Sequence, residues 1–423
     1  MRKFWMALTA LAMVLTVAAA ALAEEAAPAA PGEEPAAAEK PPVKDWPRFF
    51  GPFGNGIAPD TGLNHDWGAR PPARLWQVAL GDGGFAGPSV AGGKVYLIDH
   101  AGDQDLVRAL SLEDGTEIWR HPYPETTEAD NNGHARTTPC VADGKVYVLS
   151  RLGLLLCLNA ENGEPIWSRD LVAEFAGKRP QWFYAGSPIV DGDRLIVCPG
   201  GPGASVVALN KATGETLWQG GGDDPAGYST PMIAEILGVK QYVVFTAAAL
   251  VGVAADSGQL LWRLPWKTAY GVNADTPLVA GNSVFGTSGY GHGCALVEIT
   301  PQGPALSWES KEIAAHFNSP VAYNSLIFGI GDPGFLVCLD PATGTALWKQ
   351  PGFEKGGVVA VDDTLLALAG DSGALVMVAA TGQGYQELGR FTPLGGQSWT
   401  APIVADGKLI VRNTQALACF DLR

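Results

Sequence analysis

The chain has 423 residues and a formal charge of −15, with 43 Asp and Glu against 28 Lys and Arg. So acidic a body repels nucleic acid and anionic membrane surfaces, which excludes polyanion binding as the expected role. It also leaves a protein, a peptide or a small ligand as the partner classes to weigh.

Arg2 and Lys3 precede an apolar stretch over residues 4–20, and Ala21-Leu22-Ala23 supplies small residues for cleavage. This pattern predicts a secretory signal peptide over residues 1–23 and an exported chain, periplasmic or secreted. Glu24, rather than cysteine, follows the expected cleavage site, so no lipid anchor of the lipoprotein type is expected there. Removing two positive charges takes the formal charge to −17. Residues 24–44, rich in Ala, Pro and Glu, read as a tether with few core-forming side chains. No later stretch is long and apolar enough to be a transmembrane segment in the mature chain.

From residue 45 onward one unit recurs. A turn glycine is followed four residues later by tryptophan at Gly115 and Trp119, Gly163 and Trp167, Gly214 and Trp218, Gly258 and Trp262, and Gly344 and Trp348. Gly303 and Trp308 repeat it with one extra residue, and Gln386 stands where the seventh unit would place its tryptophan after Gly382. Successive tryptophans lie 48, 51, 44, 46 and 40 residues apart, a period that signals a repeat architecture. Within the third unit, β-branched and aliphatic runs alternate with Asp191-Gly192-Asp193 and Thr213-Gly214 turns, which predicts four antiparallel strands.

The first hairpin of the unit can be counted separately, beginning at Val90, Val141, Val190, Val279, Val321, Ala360 and Val404, with a longer copy over residues 232–245. Eight hairpins predict an all-β, eight-bladed β-propeller spanning residues 45–423 as one domain. The last unit stops after its third strand near residues 416–420, so residues 74–80, with Trp76, are expected to supply the missing fourth. Closing the ring with the two ends of the chain removes exposed sheet edges.

The segment Ala208-Leu209-Asn210-Lys211-Ala212-Thr213-Gly214-Glu215-Thr216-Leu217-Trp218 resembles the pyrroloquinoline-quinone (PQQ)-like repeat of bacterial propellers. The run from Cys338 to Trp348 matches it equally well, and Trp46-Pro47-Arg48-Phe49-Phe50-Gly51-Pro52 looks like the lead-in of exported members. The resemblance covers about residues 45–423 and implies the propeller fold. For function it implies two different things, because the family holds quinoprotein dehydrogenases and also a non-catalytic lipoprotein of outer-membrane β-barrel assembly.

The repeated tryptophans are expected to be packing groups. Cys157, Cys338 and Cys419 occupy the same third-strand position of different blades, which places them too far apart to pair. Cys140, Cys198 and Cys294 also fall in or beside strands of separate blades, and all six are expected to be buried thiols.

Blade topology puts the first–second and third–fourth turns on one face and the crossings between blades on the other. The early crossings are long, over residues 125–136, 170–186, 219–228 and 265–275, and loops held by a rigid scaffold are where binding groups collect. A proline marks the register at the end of each crossing: Pro88, Pro139, Pro188, Pro231, Pro277, Pro320 and Pro402. Three positions before it stand Phe85, Arg136, Ala185, Tyr228, Ala274, Phe317 and Trp399, which are expected to ring the channel mouth. Tyr184, Asn273, Asp275 and Asn318 are their neighbours, Trp182, Tyr270 and His316 stand further back, and Tyr290 and His292 come from a second–third loop.

The expected partner face is therefore Arg136, Trp182, Tyr184, Tyr228, Tyr270, Asn273, Asp275, His316, Asn318 and Trp399. Aromatic rings beside a few polar groups suit a peptide, a glycan or a ring-shaped ligand. The same rings would equally serve to pack the loops and plug the channel.

Catalytic and metal motifs fail on inspection. Gly370-Asp371-Ser372-Gly373 lies in a second–third turn with no histidine partner. His292 and Cys294 have no further pair at zinc-like spacing. Asp130-Asn131-Asn132-Gly133 lacks the downstream glutamate of a calcium loop. The dehydrogenases of the family carry an adjacent cysteine pair over the cofactor, and this chain has none; nor does it contain a Cys-x-x-Cys-His haem site. The expectation is a non-catalytic exported scaffold without cofactor that binds a cell-envelope protein or peptide. A PQQ-dependent dehydrogenase and a glycan- or small-molecule-binding protein are the alternatives.

Overall fold

The computed structural model describes residues 44–81, 83–128 and 133–423. The expected signal peptide, the tether up to residue 43 and residues 130–132 of the Asp-Asn-Asn-Gly motif lie outside the described residues.

Among the described residues the strands form eight four-stranded antiparallel sheets, arranged as the blades of a propeller. Blades 1 to 7 span residues 89–124, 140–170, 189–220, 232–265, 278–310, 321–351 and 358–391 in chain order. Blade 8 takes three strands from residues 403–421 and its outermost strand, Ala73–Ala79, from the N-terminal side. That strand runs antiparallel to Ala416–Asp421, from Ala73 opposite Asp421 to Ala79 opposite Ala416, so the ring closes as expected.

The tryptophans clasp each blade to the next. The indole N–H donates to a carbonyl of the following blade from Trp76 to Leu112, Trp119 to Ala160, Trp167 to Lys211, Trp218 to Ala255, Trp308 to Pro341 and Trp348 to Thr381, at 2.7–3.2 Å. The ring plane lies flat on the turn glycine of that blade. A Cβ on Gly163 would sit 2.5 Å from the Trp119 ring, and its φ of +74° also favours glycine.

Two blades depart, each for a visible reason. In blade 5 the one-residue stretch between Gly303 and Trp308 marks a different turn: Thr300 pairs directly with Gly303, leaving no wide loop to receive Trp262. Trp262 instead donates to Gln241 Oε1 of its own blade at 2.6 Å. In blade 7 the position equivalent to tryptophan is not Gln386. The pairing of Met377 with Gly389, followed by the bulge found beside the other tryptophans, puts Gly389 there. The space is filled from elsewhere, by Trp67, whose Cβ lies 2.7 Å from where a Gly389 side chain would begin. Trp67 is 3% exposed and meets Phe391 edge-on at 5.3 Å.

Trp67 belongs to the lead-in, residues 45–72, which threads the ring. Trp46 bridges Val90 in the innermost strand of blade 1, and Ala58 N–H donates to Ala360 O in the innermost strand of blade 7. The chain then crosses the turns of blades 7 and 8, where Asp60 accepts from Gly407 N and Asp362 from Leu63 N. The WPRFFGP motif is thus a plug across the channel on the hairpin-turn side.

All six cysteines are unpaired, five of them buried and Cys198 partly so. Burial pushes the thiols of Cys157, Cys338 and Cys419 up to about 12, which keeps them inert small hydrophobes. Among the described residues no helix is long and apolar enough to cross a membrane.

Candidate functional site

A cavity of about 410 Å³ occupies the channel, and all seven proline-register residues line it: Phe85, Arg136, Ala185, Tyr228, Ala274, Phe317 and Trp399. Blade 7 supplies the eighth equivalent, Lys355, three residues before Val358. The sequence reading missed Lys355 because Val358 stands where the other blades carry the marker proline. Counting back from the hairpin at Ala360 finds it. Trp46, Phe49 and Phe50 of the lead-in line the cavity as well, so it is closed towards the hairpin turns and opens to the crossing loops.

The cavity entrance is held by a girdle of hydroxyls that the sequence reading also passed over. The residue before the proline is Thr138, Ser187, Thr230, Thr276 and Ser319 in blades 2 to 6. Thr138 N donates to Ser187 Oγ, Ser187 N to Thr230 Oγ1 and Thr276 N to Ser319 Oγ, each linking one inner strand to the next at 2.7–2.9 Å. Thr400 Oγ1 donates to Phe85 O at 2.7 Å and carries the linkage across the closure between blades 8 and 1. Buried and satisfied, these bonds fix the ring of side chains above them.

The aromatic residues fall into two groups. On one side Trp399 stacks on Phe85 at 4.8 Å and lies 5.3 Å from Phe317. Its indole N–H donates to Asp371 Oδ1, while Lys355 Nζ sits 5.0 Å above the ring. Asn318 Nδ2 donates to the carbonyls of both Lys355 and Trp399, tying blades 6, 7 and 8 at the mouth. On the other side Trp182 meets Tyr270 edge-on at 5.6 Å and Tyr228 at 6.3 Å, and its backbone N–H donates to the Tyr228 hydroxyl. Tyr290 packs on His316 at 4.6 Å, and Asp332 lies 3.6 Å from His316 Nδ1. Arg136 lies 5.7 Å from the Phe183 ring.

Three expected site residues are placed elsewhere. Tyr184 is 2% exposed and donates its hydroxyl to Pro199 O inside blade 3. Asn273 is fully buried: Nδ2 donates to Thr246 O and Trp266 O, and Oδ1 accepts from Thr268 and Ser288. Asp275, 2% exposed, accepts from Thr287 N. The cause is alternation. The chain runs without bend or turn at 184–188 and 272–277, and there the neighbours of the cavity-lining Ala185 and Ala274 point into the blades, as alternation along a straight segment directs. Residues 316–318 are bent rather than straight, and there His316, Phe317 and Asn318 all reach the cavity. Tyr270 does not line the cavity but stands at its rim, 68% exposed.

Burial raises the Asp275 carboxyl well above the usual carboxylate range, with the Thr287 N–H and the Ser319 hydroxyl only partly offsetting it. A raised carboxyl pKa means the folded state holds the proton that the unfolded state releases, so this contribution favours folding at acid pH, begins to be lost as pH rises past the unfolded value and is gone only above the raised folded one. Asp275→Asn keeps an acceptor for Thr287 without a charge. It should be at least as stable as the parent at pH 8, with a flatter dependence between pH 5 and pH 8 in denaturant melts. A loss of more than about 2 kcal/mol at pH 8 would show instead an ionised, stabilising carboxylate.

The donor set does not fit a calcium-bound quinone. No described Asp or Glu lines the cavity, whose basic side chains are Arg136, His316 and Lys355, leaving neither a carboxylate ligand for calcium nor a carboxylate base among the described residues of the channel. Asp275 is turned away, and among the described residues no group of three or more His, Cys, Asp and Glu is placed to hold a metal ion. The Gly370–Gly373 motif is a turn closed by Gly373 N to Ala369 O.

The chain resembles known proteins over most of its length. A family model described as outer membrane protein assembly factor BamB matches residues 103–350 and 332–422. The BamB of Yersinia pestis is 24% identical over 373 residues, covering 81% of this chain and 77% of that protein. Among solved structures, BamB from Moraxella catarrhalis superposes with a TM-score of 0.61 at 16% identity, over 83% of this chain and 99% of the other. A quinohemoprotein alcohol dehydrogenase from Comamonas testosteroni reaches 0.65 at 14% identity, over 89% and 80%, a likeness of fold alone. These relatives are named for assembly at the outer membrane, in keeping with the exported, periplasmic or secreted, location expected from the N-terminal sequence. With a match extending over well more than half of its residues, the chain belongs to the PQQ-like-repeat propeller family described as outer membrane protein assembly factor BamB.

Proposed function

We propose that this chain is a non-catalytic scaffold of the cell envelope that binds a protein or peptide partner on its crossing-loop face, with the channel cavity as the anchoring point. The observation that carries this reading is the convergence of eight register-equivalent loop residues on a cavity that the lead-in closes from behind. Rigid walls, a single open side and aromatic anchors are what a partner-binding face requires. The backbone adds support: Phe183, Tyr270 and Tyr290 all adopt positive φ, at 64°, 60° and 56°, a costly conformation for bulky residues. Such strain collects at functional sites, and Tyr270 and Tyr290 use it to hold rings that are 68% and 49% exposed. The relatives named as outer membrane assembly factors point to an envelope protein as the partner.

The test is capture from an envelope extract on immobilised propeller, with partners identified by mass spectrometry. Replacing Trp182, Tyr228 and Tyr270 together by alanine should abolish capture while the melting temperature stays within a few degrees of the parent. Lys145→Ala, beside a first–second turn, is the control and should capture normally. Lys94 and Lys408 serve less well, because Lys94 pairs with Glu161 of the next blade and Lys408 is buried near Glu113. Loss of capture in the lysine variant with retention in the aromatic variant would place the partner on the opposite face.

A further inference from the structure

One buried guanidinium joins the first two crossing loops. Arg151 stands in the second–third turn of blade 2, and its side chain is shut off from solvent. Its Nη2 donates to Thr127 O at 2.7 Å, Glu128 O at 3.1 Å and Glu125 Oε1 at 3.4 Å, and its Nη1 to Gly133 O at 3.5 Å. A single planar fork thus holds the first crossing loop at residues 125–128 and again at Gly133, a geometry that lysine cannot copy. The Phe183 ring of the second crossing loop lies 4.5 Å from the same guanidinium carbon, and Tyr184 N donates to Arg151 O at 3.0 Å. Phe183 keeps a φ of +64°, and its N–H closes a turn onto Pro180 O at 2.9 Å. A bulky residue stays in that conformation only where its surroundings hold it, and here the guanidinium holds the ring. The neighbour carried by this turn is Trp182, which lines the cavity, donates its backbone N–H to the Tyr228 hydroxyl and meets Tyr270 edge-on.

Resting on the scaffold reading above, we infer that Arg151 is a positioning residue for partner binding: acting through Phe183, it fixes the Trp182 ring at the mouth and ties it to the first crossing loop. Arg151 does not line the cavity, so it acts on the partner through these loops and not by contact. An aromatic anchor that is already ordered loses less freedom when a partner lands on it, and that is the gain such a clamp supplies. The position of the strain separates positioning from folding. Phe183→Gly removes the ring contact and relieves the positive φ, while the bonds from Arg151 to Thr127, Glu128 and Gly133 remain. Arg151→Lys keeps the charge and loses the fork, so it loosens both loops.

Fluorine NMR of the chain labelled with fluorotryptophan reads the Trp182 ring directly, its line assigned by its loss in Trp182→Phe. That line should shift or broaden in both Phe183→Gly and Arg151→Lys, while the Trp348 line stays where it is. Both variants should also lose capture of the partner from the envelope extract at least about tenfold, Phe183→Gly at a melting temperature within a few degrees of the parent. Trp348→Phe, which weakens blade 6 away from the mouth, is the control for lost stability and should capture normally. An unmoved Trp182 line, full capture by Phe183→Gly, or an equal loss of capture in Trp348→Phe would each overturn the assignment, the last by showing that capture follows stability alone. If one of these occurs while the Trp182, Tyr228 and Tyr270 variant still loses its partner, the scaffold reading stands without the positioning role. If that variant keeps its partner, the scaffold reading falls and the positioning role with it.

Discussion

Deleting residues 45–80 should leave no stable monomeric ring. The deletion removes the outer strand Ala73–Ala79 and exposes the Ala416–Asp421 edge along its whole length. It also removes Trp46, Phe50 and Trp67, each under 5% exposed, from the core that joins blades 1, 6, 7 and 8. An unpaired apolar edge and an open channel both favour association between copies, so the expected product is aggregated or partly unfolded. A chain beginning at Lys44 retains every described contact of the ring and should melt with the parent. The comparison is made by light scattering and thermal melts of the two truncations. Equal behaviour would mean that the terminal strand and the plug do not close the propeller.

The second large effect is expected at Trp67. Trp67→Ala empties the site that the indoles of other blades fill from within, and should cost about 3–5 kcal/mol, as should Trp348→Ala. The two tryptophans separate under a milder change. Trp348 donates to Thr381 O at 2.7 Å, whereas Trp67 Nε1 is buried with no hydrogen-bond partner. Trp348→Phe therefore loses a hydrogen bond that Trp67→Phe does not, and should be the more damaging of the two by about 1 kcal/mol. Denaturant melts measure both. A loss below about 0.5 kcal/mol for Trp67→Ala would mean the lead-in merely lies on blade 7.

Much of this architecture is legible in the residues because a repeat states its rule many times. The Gly–Trp spacing, the hairpin turns and the marker prolines each fix the blade register, and that register alone collects seven of the eight cavity residues. What stays hidden is whatever breaks the repeat. Lys355 escapes because blade 7 carries Val358 in place of proline. Trp67 escapes because it replaces a repeat residue from 322 positions away, and no local pattern reports that. Side-chain direction is the other gap. Tyr184, Asn273 and Asp275 sit one residue from cavity-lining alanines, and along a straight segment one residue is enough to send a side chain into the blade. His316 and Asn318 have the same spacing from Phe317 yet reach the cavity, since a bend replaces the straight segment there. Loop conformation of that kind is set by tertiary contacts, not by spacing.

The claim that the crossing-loop face receives an envelope partner is tested most directly by photocrosslinking in living cells from positions on both faces. A photoreactive amino acid at Tyr270 or Tyr290, exposed at the cavity mouth, should yield a discrete adduct with an envelope protein. The same amino acid at Phe53 of the lead-in, 66% exposed beyond the plugged end, should yield none. Adducts from Phe53 with none from Tyr270 and Tyr290 would contradict the account.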